Sequence, residues 1–175
     1  MIMKAAQESD FAELVALANW AYRGVEGSVP SWNIETGIVG GQRMDNSVLR
    51  EEFAAKPDST LLIWRDEVTG PLLGTAWLNP EGDGIWYLGL LTVRPDQQDR
   101  GLGRTFLTAA EDFAREHGGR RMRMTVLFVR DALIAWYERR GYRKTGATAP
   151  FPYKDERFGK PLRDDLHFVV LERTL

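Results

Sequence analysis

The sequence predicts an α/β or α+β domain built on a mixed sheet, and two observations predict it. Between residues 59 and 95 the β-rich runs "STLLIWRD", "PLLGTAWLN" and "GDGIWYLGLLTVRP" follow one another across the turn segments "DEVTGP" and "PEGDG", as the strands of an antiparallel meander do. From residue 102 onward the pattern changes to helix, strand, helix and strand, with glycines closing the helices.

Taken in order, a short strand is expected from Met1 to Ala5. Asp10 and Glu13 stand as an N-cap pair ahead of Leu14, Val15, Leu17 and Tyr22, which predicts a helix running to about Arg23. Residues 24–44, "GVEGSVPSWNIETGIVGGQRM", are rich in glycine, contain one proline and show no period, and they read as a long functional loop. Asp45 or Ser47 caps a short helix through Phe53 that stops before Pro57. After the meander, a helix runs from about Leu102 to His117 and ends at Gly118 and Gly119. "RRMRMTVLFV" is a strand whose alternation of arginine and thioether suits a half-buried position. "DALIAWYERRG" is a helix closed by Gly141, and the short "YRKTG", a loop rich in proline and charge, and the strand "LHFVVLERTL" complete the chain.

Composition excludes several classes. With 175 residues, 43% of them hydrophobic, and no repeat or linker, residues 1–175 are expected to form a single domain. A formal net charge of -2 leaves no basic surplus for nucleic acid. The chain has no cysteine, which removes disulfides, thiolate metal sites and a covalent acyl-cysteine. His117 reads as a helix-end cation and His167 lies in a strand pattern, so no metal site is expected. "MIMKAAQESD" lacks the apolar core of a signal peptide and no run reaches the length of a membrane span, so a cytoplasmic protein without a membrane partner is expected.

One stretch carries chemistry. "QQDRGLGRTFL", residues 97–107, places two glycines and two arginines where a strand has ended and a helix begins. A helix N-terminus leaves backbone N–H groups unpaired and carries partial positive charge, so Gly101 and Gly103 allow a pyrophosphate to approach the amides from Arg100 to Thr105. The segment is not a Walker loop, and a dinucleotide GxGxxG needs a third glycine where Phe106 stands.

"VRPDQQDRGLG", residues 93–103, resembles the Q/R-x-x-G-x-G/A acyl-CoA signature of the GNAT superfamily of N-acetyltransferases. "AWYERRGYRKTG", residues 135–146, is similar to the aromatic and glycine segment that follows it in that family. The resemblance implies a twisted mixed sheet of about seven strands flanked by about four helices. It splits into a V-shaped cleft between "IWYLGLLTV" and "RMRMTVLF", and the pantetheine arm of acetyl-CoA lies there like an added strand.

By that resemblance the cofactor-binding residues are Leu91, Thr92, Val93, Gln98, Asp99, Arg100, Gly101, Leu102, Gly103, Arg104, Thr105, Arg130, Tyr137 and Arg139. Leu91 supplies the N–H for the acetyl carbonyl, and Tyr137 matches the general acid that protonates the departing sulfur while a neutral amine attacks. Arg130 stands where many members carry asparagine; it either meets a carbonyl or phosphate of the cofactor or turns outward to Asp131. Tyr87 stands where some members place a glutamate base, so position names no base, and Glu26, Glu35 and Asp83 are loop acids of equal standing.

Arg139 and Arg140 are candidates for the 3'-phosphate, and Trp32, Phe151 and Tyr153 are candidate walls for the acceptor. The implied reaction is acetyl transfer from acetyl-CoA to a small-molecule or peptide amine, with a homodimer as candidate assembly. The loop acids and aromatics lean toward a small cationic amine. A non-catalytic acyl-CoA-binding or regulatory module is the alternative, and the retained Tyr137 speaks against it.

Overall fold

Alternation in the third strand explains the layering. In the computed structural model, which describes all 175 residues, Leu61 and Ile63 face one side of the central sheet and Leu62 and Trp64 face the other. Nine strands form: β1 (Ile2–Ala5), β2 (Val39–Gly40), β3 (Thr60–Arg65), β4 (Leu72–Gly82), β5 (Ile85–Val93), β6 (Arg121–Leu127), β7 (Arg143–Pro150), β8 (Lys160–Pro161) and β9 (His167–Thr174). The helices are α1 (Phe11–Arg23), α2 (Asn46–Ala54), α3 (Leu102–Glu116) and α4 (Asp131–Glu138).

Seven strands make one sheet in the order β1-β3-β4-β5-β6-β9-β7, and β2 pairs with β8 in a separate ribbon. Every neighbouring pair is antiparallel except β5 and β6, which run parallel. One core joins Phe106, Leu107, Ala110 and Ala114 of α3 and Ile134 and Tyr137 of α4 to Trp64, Leu78, Leu88 and Met124 of the sheet. The other joins Phe11, Leu14, Leu17 and Leu49 to Leu61, Ile63 and Trp77. Gly74 admits the closest packing: a Cβ there would lie 2.3 Å from the Phe106 ring, which stacks on Trp64 at 4.4 Å.

Two expectations change. The expected loop after α4 extends as strand to Pro150, because β9 offers an antiparallel edge from Arg143↔Glu172 to Pro150↔His167, with a register shift between Lys144 and Thr148. The long loop 24–44 is not free of structure either, since Val39 and Gly40 pair with Pro161 and Lys160. That ribbon fastens it to the loop before β9.

Asp10 and Glu13 do not cap α1 as a pair; the local contact that Asp10 keeps is its acceptance from the Gln7 amide ahead of the 3-10 turn. A single 3-10 turn, Glu8–Asp10, precedes α1, so Asp10 is already helical in its backbone and its carboxylate is turned to tertiary partners. Asp10 accepts from the Gln7 amide, Lys4 and Arg65, and Glu13 accepts from Arg65 and the Leu72 amide. Across the sheet, buried Glu111 of α3 accepts from Tyr142 at 2.9 Å and from Arg173 at 2.8 Å, tying α3 to β9 and to the start of β7.

Burial opposes ionisation of Asp10 and Glu13, but those hydrogen bonds outweigh it and hold both carboxyls below their ordinary values of 3.8 and 4.5. A depressed carboxyl stabilises the fold above its unfolded pKa and loses that contribution as pH falls through its folded value. Urea unfolding at a series of pH values should therefore show stability dropping below about pH 4, and Asp10→Asn with Glu13→Gln should flatten that drop. An unchanged slope in the double variant would contradict the assignment.

Candidate active site

The cleft begins where β5 leaves β6. Their ladder has three pairs, Ile85↔Arg121, Trp86↔Met122 and Tyr87↔Arg123, and beyond them the strands part. The last crossing contact is between side chains, Tyr87 Oη and Thr125 Oγ1 at 2.7 Å. On the other edge of β5, Trp77 faces Gly89 and Thr75 faces Thr92, so Ala76 alone opposes both Leu90 and Leu91. This is a β-bulge, and Leu90 holds φ +48° within it. A left-handed leucine costs about 1 kcal/mol or more, and strain of this kind persists where it serves a site. The bulge re-aims the backbone at Leu91 beside the cleft.

A cavity of about 720 Å³ fills the gap. It is lined by residues 87–91 and 93, by residues 124–127 of β6, by the start of α3, and by Trp136, Tyr137 and Arg139 at the end of α4. The chain enters α3 through two left-handed residues, Asp99 at φ +64° and Gly101 at φ +76°. Gly101 is the N-cap and has no side chain to spend on the helix end. The amides of residues 99–103 donate to no backbone carbonyl, whereas those of Arg104 and Thr105 turn back to the Gly101 carbonyl at 3.1 and 3.2 Å. The free donors therefore lie earlier than the motif suggests: Arg104 and Thr105 belong to the helix by their amides, and Asp99 opens the cradle.

Tyr137 sits on α4 with its ring edge-on to Trp136 at 5.0 Å and to Tyr142 at 5.6 Å, and it lines the cavity. Burial is the main cause that pushes its hydroxyl well above the ordinary tyrosine value, against Arg130 and Arg140, which act the other way. The group is thus held protonated. Leu91, Val93, Leu102, Gly103 and Arg104 line the same cavity, and Arg139 stands at its edge with Arg104 and Arg140. Arg140 is committed to Trp136, stacked 3.5 Å from the ring centroid and donating to its carbonyl.

Other sequence candidates fall elsewhere. Thr92 is buried in the β4 ladder, its hydroxyl donating to the Leu90 carbonyl, so its side chain is closed to a ligand. Gln98 accepts from the Trp32 amide and donates to Ser31 and to the Val93 carbonyl; it pins the 24–44 loop to the end of β5. Arg100 reaches back to Gln97. Arg130 takes neither expected course: it donates to Glu35 at 3.0 Å and to Asn33. Glu35 also accepts from Arg23 at 3.2 Å, so this loop acid is spent between two arginines. Trp32 and Phe151 line the cavity, whereas the Tyr153 hydroxyl accepts from the Leu166 amide and serves the loop itself.

Sequence reading missed four residues that shape the cavity: Leu90, Tyr22, Arg43 and Trp77. Nothing in "IWYLGLLTV" marks Leu90 as left-handed except the adjacent Gly89. Arg43 lies at the end of a stretch without periodicity.

The sequence matches the model of the Acetyltransferase (GNAT) family over residues 26–142. No curated protein matches it. Among solved structures, it is similar to the ribosomal-protein-alanine N-acetyltransferase of Brucella melitensis, with 19% identity, all of both chains covered and a TM-score of 0.66. YncA of Salmonella typhimurium, solved with its cofactor acetyl-CoA, has 22% identity and a TM-score of 0.65 over 100% of this chain and 94% of that one. The IAA acetyltransferase of Bacillus cereus ATCC 14579 has 11% identity and a TM-score of 0.65 over 99% of each chain. These likenesses are of fold.

The Arg23, Glu35 and Arg130 side chains are 8%, 13% and 10% exposed, so their pairing is a buried one. Glu35→Gln should leave two arginines without an anion and lower the unfolding free energy by about 3 kcal/mol. Urea denaturation at pH 7 reads this directly, and a loss below about 1 kcal/mol would return Glu35 to the pool of available acids.

Proposed function

The chain belongs to the acetyltransferase (GNAT) family, and on that premise we propose that it transfers an acetyl group from acetyl-CoA to a small-molecule or peptide amine by direct attack, within one catalytic domain spanning residues 1–175. The observation that carries this reading is the left-handed Leu90 bulge, placed where β5 parts from β6 and opening on the cavity that also holds Tyr137. The residues fit an acyl-CoA. A parted strand edge accepts an amide-bearing arm, and the free amides of residues 99–103 accept a pyrophosphate, with Arg104 and Arg139 adding charge.

Acetyl-CoA supplies a thioester carbonyl and a sulfur leaving group. Leu91 N–H meets the negative charge that grows on the carbonyl oxygen, and the bulge has already fixed its orientation, so no reorganisation is needed as the charge develops. Tyr137 donates its proton to the sulfur as the C–S bond breaks and the N–C bond forms, and it regains one from solvent. The amine's surplus proton leaves to water; Glu35 is excluded as its acceptor by its two arginines. Gln98 holds Trp32 and Ser31 against the cleft mouth and thereby positions the loop under which the amine enters.

Tyr137→Phe keeps the ring packing and removes the proton. Folding and acetyl-CoA affinity should survive while kcat falls on the order of 10²–10⁴-fold, measured by thiol release from acetyl-CoA with an amine panel. Because burial raises the hydroxyl pKa, the wild-type high-pH limb from this group should lie above 10.0. A folded variant with kcat within about threefold of wild type would remove Tyr137 from the chemistry.

Gly101→Val forces a β-branched residue into φ +76° and disturbs the amide cradle. Acetyl-CoA should raise the melting temperature of wild type and not of this variant, with circular dichroism as the control for folding. An equal shift in both proteins, or equal stabilisation of wild type by NADH, would displace the pyrophosphate site from this turn.

A further inference from the structure

The part of the cavity lined by Tyr22, Arg23, Glu35 and Arg43 carries more positive charge than its own carboxylate can balance. Glu35 is the only acid among Arg23, Arg43 and Arg130, and its two oxygens are taken by Arg23 and Arg130. Lys56 and Glu52 form a separate pair at 3.8 Å. That leaves Arg43, whose guanidinium meets no carboxylate and instead lies 5.3 Å from the centre of the Tyr22 ring and 5.8 Å from that of Phe158. Its position is built: Asn19 of α1 accepts from the Arg43 amide at 2.7 Å and donates to the Met44 carbonyl at 2.8 Å, fixing the backbone on both sides.

A second observation concerns the neighbouring Arg23, whose Nη1 donates to Glu35 and whose Nη2 donates to the Phe158 carbonyl, which leaves Arg43 as the uncommitted guanidinium. Burial pulls the Arg23 pKa below its ordinary value, and Arg43 pulls the same way. Two aromatic rings within 6 Å of Arg43 hold the guanidinium without neutralising it, which leaves its fork free for a planar anion.

We propose that the acceptor amine carries a carboxylate close to its nitrogen, an amino-acid-type zwitterion, and that Arg43 is the residue that binds this carboxylate. The proposal rests on the acetyl-transfer reading for its reaction and narrows that reading to one substrate class. It also departs from the small cationic amine to which the loop acids pointed, because Glu35, the one of those loop acids that lines the cavity, is already paired with two arginines. Arg43 acts on the acceptor alone: the amides and arginines at the α3 end belong to the other substrate.

The test pairs each of a set of α-amino acids with its methyl ester and its decarboxylated amine in the thiol-release assay. Free acids should exceed both partners in kcat/KM by about tenfold or more, the range of one hydrogen-bonded charge. Arg43→Gln should raise the acceptor KM for the acid by a similar factor and leave the KM of acetyl-CoA and the kcat/KM of the ester within about twofold. Arg43→Lys should recover part of the loss, and melting temperatures check that both variants fold.

Esters or decarboxylated amines turning over as well as the acids, or Arg43→Gln impairing acid and ester alike, would overturn the proposal while leaving acetyl transfer intact. Turnover with no amine at all would instead overturn the acetyl-transfer reading. In that event calorimetric binding of the free amino acids to the wild-type and Arg43→Gln proteins, each with coenzyme A, still decides the carboxylate site: binding lost in the variant upholds it, and equal binding or none in wild type overturns it.

Discussion

The structure turns on the parting of β5 and β6. Three ladder pairs hold them together, and beyond Tyr87 and Arg123 each strand presents backbone groups to a gap in the middle of a buried sheet. Sheet edges of this kind are ordinarily covered or kept short, because unpaired buried N–H and C=O groups cost about as much as lost hydrogen bonds. Here the gap is kept open by construction. α3 and α4 pack on one face through Phe106, Leu107, Ile134 and Tyr137, and the Tyr87–Thr125 contact braces the apex. In the proposed reaction, a ligand with amide groups of its own, lying as a strand, would pair with these groups.

The two ends of the gap differ in chemistry, and each is set by a different part of the fold. At one end the left-handed pair Asp99 and Gly101 frees a run of amides at the head of α3. At the other, the β2–β8 ribbon ties the two long loops together, and the Arg23–Glu35–Arg130 cluster locks them to α1 and to the start of α4. Tyr137 and the Leu90 bulge stand on the cavity between the two. In the proposed reaction these serve as cofactor end and acceptor end, meeting at one hydroxyl and one re-aimed amide, the arrangement that direct acyl transfer would require.

The sequence carried the regular elements well because they depend on local pattern. The period of α1, the Asp45 cap of α2, the glycines after α3 and the alternation of β6 are all visible in short windows, and each element lies within a few residues of its expected place. The GxG turn was legible for the same reason. What the sequence withheld depends on contacts between distant residues. Asp10 and Glu13 have the spacing of a cap but are claimed by Arg65, more than fifty positions away. Arg130 is claimed by Glu35, ninety-five positions away. The extension of β7 to Pro150 exists because β9 is there to pair with it, and the inversion of Leu90 follows from register against β4 rather than from its own side chain. Arg43 matters only because its neighbours Tyr22 and Phe158 come from two other segments.

In the proposed complex, backbone amides at two separate places, residues 99–103 and Leu91, face one ligand. Amide chemical-shift mapping by NMR during titration with acetyl-CoA tests it most directly. The largest changes should fall at residues 99–103 and at Leu91, with the amides of β1 and β3 unmoved. Changes confined to the α3 turn, with Leu91 silent at saturation, would contradict the account, because the bulge would then serve no part of the bound molecule.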